Sequence, residues 1–84
     1  MWLGEEVWID NINKVIIENN CCISQGVYIC AGSHDSKNET FDLISKNIII
    51  GESSWVGAKS MILIGAKVPK QNFIKAGTIF TNAI

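Results

Sequence analysis

The feature that most restricts this sequence is a period of six. Stepping by six from Ile50 meets Ile50, Val56, Ile62, Val68, Ile74 and Phe80, all large and apolar. Four residues after each stand Ser54, Ser60, Ala66, Asn72, Thr78 and Ile84, and all but Ile84 are small or compact polar residues. The N-terminal half repeats the pattern with Leu3 and Ile9, then Ile17, Ile23 and Ile29. Their partners at the same offset are Val7, Asn13, Cys21, Val27 and Ser33. Between Ile9 and Ile17 the step is eight, so two residues are inserted there.

An α-helix repeats its apolar face about every 3.6 residues and a half-buried strand every two. A period of six fits neither. It fits a solenoid whose unit is a short strand and a turn, with one large side chain per unit aimed at the axis and stacked on its equivalents in neighbouring coils. The expected fold is all-β, a hexapeptide-repeat parallel β-helix. Three units make a triangular coil, which divides the chain into coils at 3–16, 17–34, 50–67 and 68–84. The seven glycines serve the tight corners. A β-sandwich of short strands is the competing architecture, but it has no reason to keep a strict six-residue register. Residues 1–84 form one domain in this reading, with an extended loop at 35–49 where the register breaks. An excursion of that length is costly to order and is usually functional.

Composition excludes several classes. With 48% apolar and 18% charged residues the chain is not of disordered type. No apolar run approaches the roughly 20 residues of a membrane-spanning helix, so membrane insertion is not expected. No basic, apolar leader precedes the repeats. The cysteines, Cys21, Cys22 and Cys30, are odd in number and two are adjacent, which makes a poor disulfide framework. With no CxxC and a single histidine, metal binding is equally ill supported. Reduced, core-like thiols and a cytoplasmic protein are the expectation. All acids fall within residues 1–52, and beyond Glu52 the only charged side chains are Lys59, Lys67, Lys70 and Lys75. That half either attracts a phosphorylated ligand or carries scattered solubilising lysines. Arginine is absent and no aromatic–basic interleaving occurs, so nucleic acid is not an expected partner.

The lone histidine, His34, stands at the base of the excursion in Ala31-Gly32-Ser33-His34-Asp35. Imidazole is the side chain best suited to take a proton from a hydroxyl near neutral pH, although a structural role is the other reading. Asp35, Ser33, Asp42 or a backbone carbonyl would fix its tautomer. No GxSxG elbow, Walker loop, dinucleotide fingerprint or HExxH is present. Glu5 and Glu6 are adjacent, and on a strand they face opposite sides. Trp8 and Trp55 each precede an inward position and so point outward, where an indole calls for a ligand or a subunit to cover it.

Val7-Trp8-Ile9-Asp10-Asn11, Ile23-Ser24-Gln25-Gly26-Val27-Tyr28, Gly32-Ser33-His34-Asp35 with Thr40-Phe41-Asp42-Leu43, and Trp55-Val56-Gly57-Ala58-Lys59 together resemble the hexapeptide-repeat acetyltransferases. The branch most resembled is that of the colanic acid biosynthesis acetyltransferases, relatives of the maltose and galactoside enzymes. The resemblance implies a left-handed parallel β-helix that forms a homotrimer with active sites between subunits. It also implies acetyl-CoA as donor and a sugar or glycan hydroxyl as acceptor. By the same resemblance His34 is the general base, and Asn11, Asp35 and Trp55 are substrate-binding residues. Trp55, Gly57, Ala58, Ala76 and Thr81 contact the acetyl-CoA. Members of that family carry more chain before Leu3 and after Ile84, and Asn82 stands where they have a basic residue. A non-catalytic β-helix scaffold and an amino-sugar N-acetyltransferase are the alternative functions.

Overall fold

The computed structural model describes residues 1–34 and 43–82, with His34 represented by its backbone. Its strands are β1 (Trp2–Leu3), β2 (Trp8–Asp10), β3 (Val15–Ile17), β4 (Cys22–Ile23), β5 (Tyr28–Cys30), β6 (Gly32–His34) and β7 (Leu43–Ser45). They continue as β8 (Ile48–Ile50), β9 (Trp55–Val56), β10 (Met61–Ile62), β11 (Lys67–Val68), β12 (Phe73–Ile74) and β13 (Ile79–Phe80). No helix occurs among the described residues. None is therefore long and apolar enough to cross a membrane.

Three sheets are parallel throughout: β1-β4-β9-β12, β2-β5-β10-β13 and β3-β8-β11. The chain visits the first, second and third sheet in fixed rotation, interrupted once by the antiparallel pair β6–β7. This connectivity is compatible with a parallel β-helix and excludes the sandwich. β8 begins at Ile48, so the third sheet already includes the last two residues of the 35–49 segment.

The register shows why a six-residue period produces this arrangement. Leu3, Ile23, Val56 and Ile74 lie side by side across the first sheet. Ile9, Ile29, Ile62 and Phe80 do so across the second, and Ile17, Ile50 and Val68 across the third. The central members are fully enclosed: Ile23, Ile29, Ile50, Val56 and Ile62 have no exposed surface. Backbone groups pair from coil to coil, as where Val27 O accepts from Trp8 N–H at 3.0 Å and Ser60 O accepts from Tyr28 N–H at 2.9 Å. The compact residues four positions on fit the narrow corners. Ser54 and Ser60 are buried there, and their hydroxyls donate to Pro69 O at 2.8 Å and Lys75 O at 2.9 Å.

Most corners carry a left-handed residue, and glycine does not always supply it. Between the first and second sheets the equivalent positions are Glu6, Gly26, Lys59 and Gly77, with φ of 59°, 69°, 59° and 76°. Between the third and first they are Asn20, Ser53 and Gln71, with φ of 63°, 61° and 55°.

Outward positions stack in the same way. Trp2, Cys22, Trp55 and Phe73 form one ladder on the first sheet. Trp8, Tyr28, Met61 and Ile79 form another on the second. Of these, Trp2, Trp8, Trp55, Phe73, Met61 and Ile79 are exposed, so two faces carry apolar stripes.

Candidate active site

The candidate residues fall into two groups on different edges of the coil. Trp55 opens β9 on the first sheet, 52% exposed. Its indole Nε1 donates to Ser24 Oγ at 2.9 Å, and its ring stands 4.8 Å from that of Phe73 at a tilt of 46°. These two contacts hold the indole at a set angle while leaving its outer side open. Two residues on, Gly57 is buried against the next coil, where an added Cβ would lie 2.5 Å from Ala76 N. At the following corner Ala58 O accepts from Gly77 N–H at 2.9 Å, which places Ala58 and Ala76 on successive coils of one edge. Trp55, Gly57, Ala58 and Ala76 are thus brought together.

The second group lies beyond the second sheet. Asn11 follows β2 and is exposed. Thr81 follows β13, its hydroxyl donating to Ile64 O at 2.8 Å. The backbone of His34 ends β6 opposite Leu43 of β7. The ribbon is tied to the coil where Ala31 O accepts from Lys46 N–H at 3.1 Å and Ser45 Oγ accepts from Asn13 Nδ2 at 3.1 Å. Asp35 lies outside the described residues. Within one chain, then, the edge that carries Trp55 is not the edge that carries His34 and Thr81.

Sequence reasoning treated the cysteines alike, and the structure divides them. All three are free thiols. Only Cys21 is buried, its Sγ 3.2 Å from Gly51 O. Cys22 and Cys30 are half-buried because they occupy outward positions of β4 and β5, one residue before or after an inward isoleucine. Among the described residues no cluster suits a metal ion.

A cavity not foreseen from the sequence opens where the ribbon meets the second sheet. It measures about 270 Å³ and is lined by Asp10, Ile12, Cys30, Gly32, Ser33 and Leu43. Asp10 and Cys30 are cross-strand neighbours. Beside them the Tyr28 phenol is pushed above its ordinary 10.0, first by its hydrogen bond with the Cys30 side chain, then by desolvation and the nearby thiol and Asp10 charges. The alternation of β2 and β5 was the available signal, since it sends Trp8 and Asp10, and Tyr28 and Cys30, to the same face.

Two proteins provisionally named colanic acid biosynthesis acetyltransferase WcaF, from Escherichia coli (strain K12) and Shigella flexneri, match this sequence. Each is 30% identical over 67 residues, which is 80% of this chain and 37% of the relative. The chain is a homologue of these acetyltransferases. That finding bears out the resemblance carried by the quoted motifs. The chain spans 37% of the length of these curated relatives. No family model matches it. No solved structure matches it significantly.

Proposed function

We propose that this chain is the catalytic β-helix of an acetyl-CoA-dependent O-acetyltransferase acting on a hydroxyl of a sugar or polysaccharide precursor. The observation that carries the reading is the homology to two proteins named as acetyltransferases, extending over 80% of the chain. The scaffold is a left-handed hexapeptide β-helix in this proposal. His34 takes the proton of the acceptor hydroxyl as its oxygen attacks the thioester carbonyl. The tetrahedral intermediate collapses with loss of the CoA thiolate, which recovers that proton from the imidazolium. Backbone amides stabilise the oxyanion, and no covalent enzyme intermediate is needed. Asn11 and Asp35 hold the acceptor. Trp55 walls the acyl end, Gly57, Ala58 and Ala76 line the pantetheine arm, and Thr81 meets the CoA beyond.

The division of candidates between two edges supports a homotrimer, in which one protomer's Trp55 edge faces the next protomer's His34 edge. Two apolar outward ladders supply surface for such contacts. Three free thiols agree with a reducing compartment, the cytoplasm.

Release of free CoA thiol from acetyl-CoA, measured across a panel of neutral and amino sugars, tests the reading. Transfer to a neutral sugar is expected, and His34→Ala lowers it at least about a hundredfold while acetyl-CoA still binds, as for loss of a general base. A folded protein that binds no CoA in calorimetry is a scaffold. Transfer to amino sugars alone makes it an N-acetyltransferase.

A further inference from the structure

We infer that Ser24 is a positioning residue for Trp55. Its hydroxyl turns the indole toward the edge that carries Ala58 and so sets the length of acyl chain that the site accepts. The acyl chain enters through the acetyltransferase reading, whereas the placing of the indole stands on the geometry alone.

Across the first sheet Trp55 is aligned with Cys22, yet its Nε1 donates at 2.9 Å to Ser24 Oγ, two residues further along that coil. Cys22 and Ser24 lie on one face by the alternation of extended chain. The indole therefore leans out of its own row, past the one small member of its ladder, and into the row of Gly57, beside the corner that carries Ala58. From the following coil the Phe73 ring meets it at 4.8 Å and 46°. Trp55 is thus held from the coil before it and from the coil after it.

Desolvation does not demand this bond. An indole that is 52% exposed has water for its N–H, and it is buried indoles that need a protein acceptor. What the bond does is select one orientation among the staggered rotamers of the side chain. Ser24 is itself well fixed, at 8% exposure, with its N–H donating to Val56 O at 3.0 Å. The other buried polar residues described, Ser54 and Ser60, direct their hydroxyls to backbone carbonyls of the next coil and so secure the corners. Ser24 instead secures a ring at the surface. A ring held on both sides is a rigid wall, and a rigid wall limits the chain that fits beside it. Released from Ser24, the ring can swing aside and admit a longer acyl group.

The test follows the indole first and the ligand second. In the full chain carrying isotopically labelled tryptophan, NMR resolves the three indole N–H signals, and Trp55→Phe assigns the one that belongs to Trp55. That signal is expected to move upfield and to exchange faster with solvent in Ser24→Ala, and to return in Ser24→Thr. Circular dichroism verifies that the variants fold. Calorimetry then compares acetyl-CoA with butyryl-CoA. Ser24→Ala is expected to lower the preference for acetyl-CoA about two- to tenfold, the scale of one neutral hydrogen bond, and Ser24→Thr to restore it. In the Trp55→Phe background Ser24→Ala is expected to change nothing further. An indole signal indifferent to Ser24→Ala, or an acyl preference unchanged while that signal moves, overturns the positioning role and leaves the transferase reading standing. A folded wild type that binds neither acyl-CoA removes that reading, and the control of acyl length with it, even where the indole signal moves.

Discussion

At the scale of single residues, two glycines on one edge separate two kinds of demand. Gly77 has φ of 76° and nothing within 4 Å of an added Cβ, so it answers only a backbone requirement. Gly57 has no such φ, but its added Cβ would lie 2.5 Å from the backbone nitrogen of Ala76, which cannot swing aside as a side chain can. Gly77→Ala is therefore expected to cost about 1–2 kcal/mol, the strain of one left-handed L-residue. Gly57→Ala forces two coils apart and is expected to cost more, with loss of the acetyl-CoA binding proposed for the neighbouring edge. Urea unfolding of the two variants orders them, and an equal cost would show that close approach at Gly57 is relieved at no expense. Lys59 and Gln71 occupy left-handed positions without glycine, at φ of 59° and 55°. The fold thus tolerates this strain at several corners, but not a clash.

Elements here are strands of two or three residues, too short to be stable alone, and their coil-to-coil pairing makes them a cooperative stack. Burial follows position in the stack: Ile62 is fully enclosed, whereas Ile9 in the same row is 38% exposed because it has a neighbour on one side only. Ile62→Ala is expected to cost about 2–5 kcal/mol and Ile9→Ala much less, as measured by thermal or urea unfolding. Equal losses would mean that the core is not graded along the axis. This same stacking is what the sequence announced. Every inward position from Leu3 to Phe80 was legible, because one large side chain per coil must recur at a fixed spacing to meet its equivalent. The outward positions were harder to read, since solvent and partners impose no common size on them. That is why Cys22 and Cys30 read as core in the sequence and why the Asp10–Cys30 neighbourhood is not legible there. Its cavity depends on the ribbon carrying Leu43 back against the coil, and no periodicity encodes that return. His34 was conspicuous as the lone histidine at the break in register, and Trp55 as an outward indole, but their placement on different edges emerged only with the rotation of the chain among three sheets.

For the whole molecule the separation of those edges has a definite consequence. Trp55 sits with Gly57, Ala58 and Ala76 on one side, and His34 ends a strand beyond the second sheet. In the proposed homotrimer a site that needs both is completed by a second copy, and each of the three sites draws on two protomers. Inactive variants then complement one another. His34→Ala supplies an intact Trp55 edge and Trp55→Ala an intact His34 edge. In rings assembled from equal amounts of the two, a random draw leaves about one site in four with both residues intact, as closed heterologous interfaces require. Co-expression of the variants under separate tags, tandem purification and a CoA-release assay measure this. Mixed rings isolated through both tags each keep one intact site of three, so activity near a third of wild type, with neither variant active alone, is the outcome expected of a shared site. Mixed rings as inactive as the separate variants would place His34 and Trp55 in one protomer's own site, against the division of edges seen in the fold. A strictly monomeric protein in sedimentation would remove the shared site altogether, and with it the reason for leaving two apolar ladders uncovered.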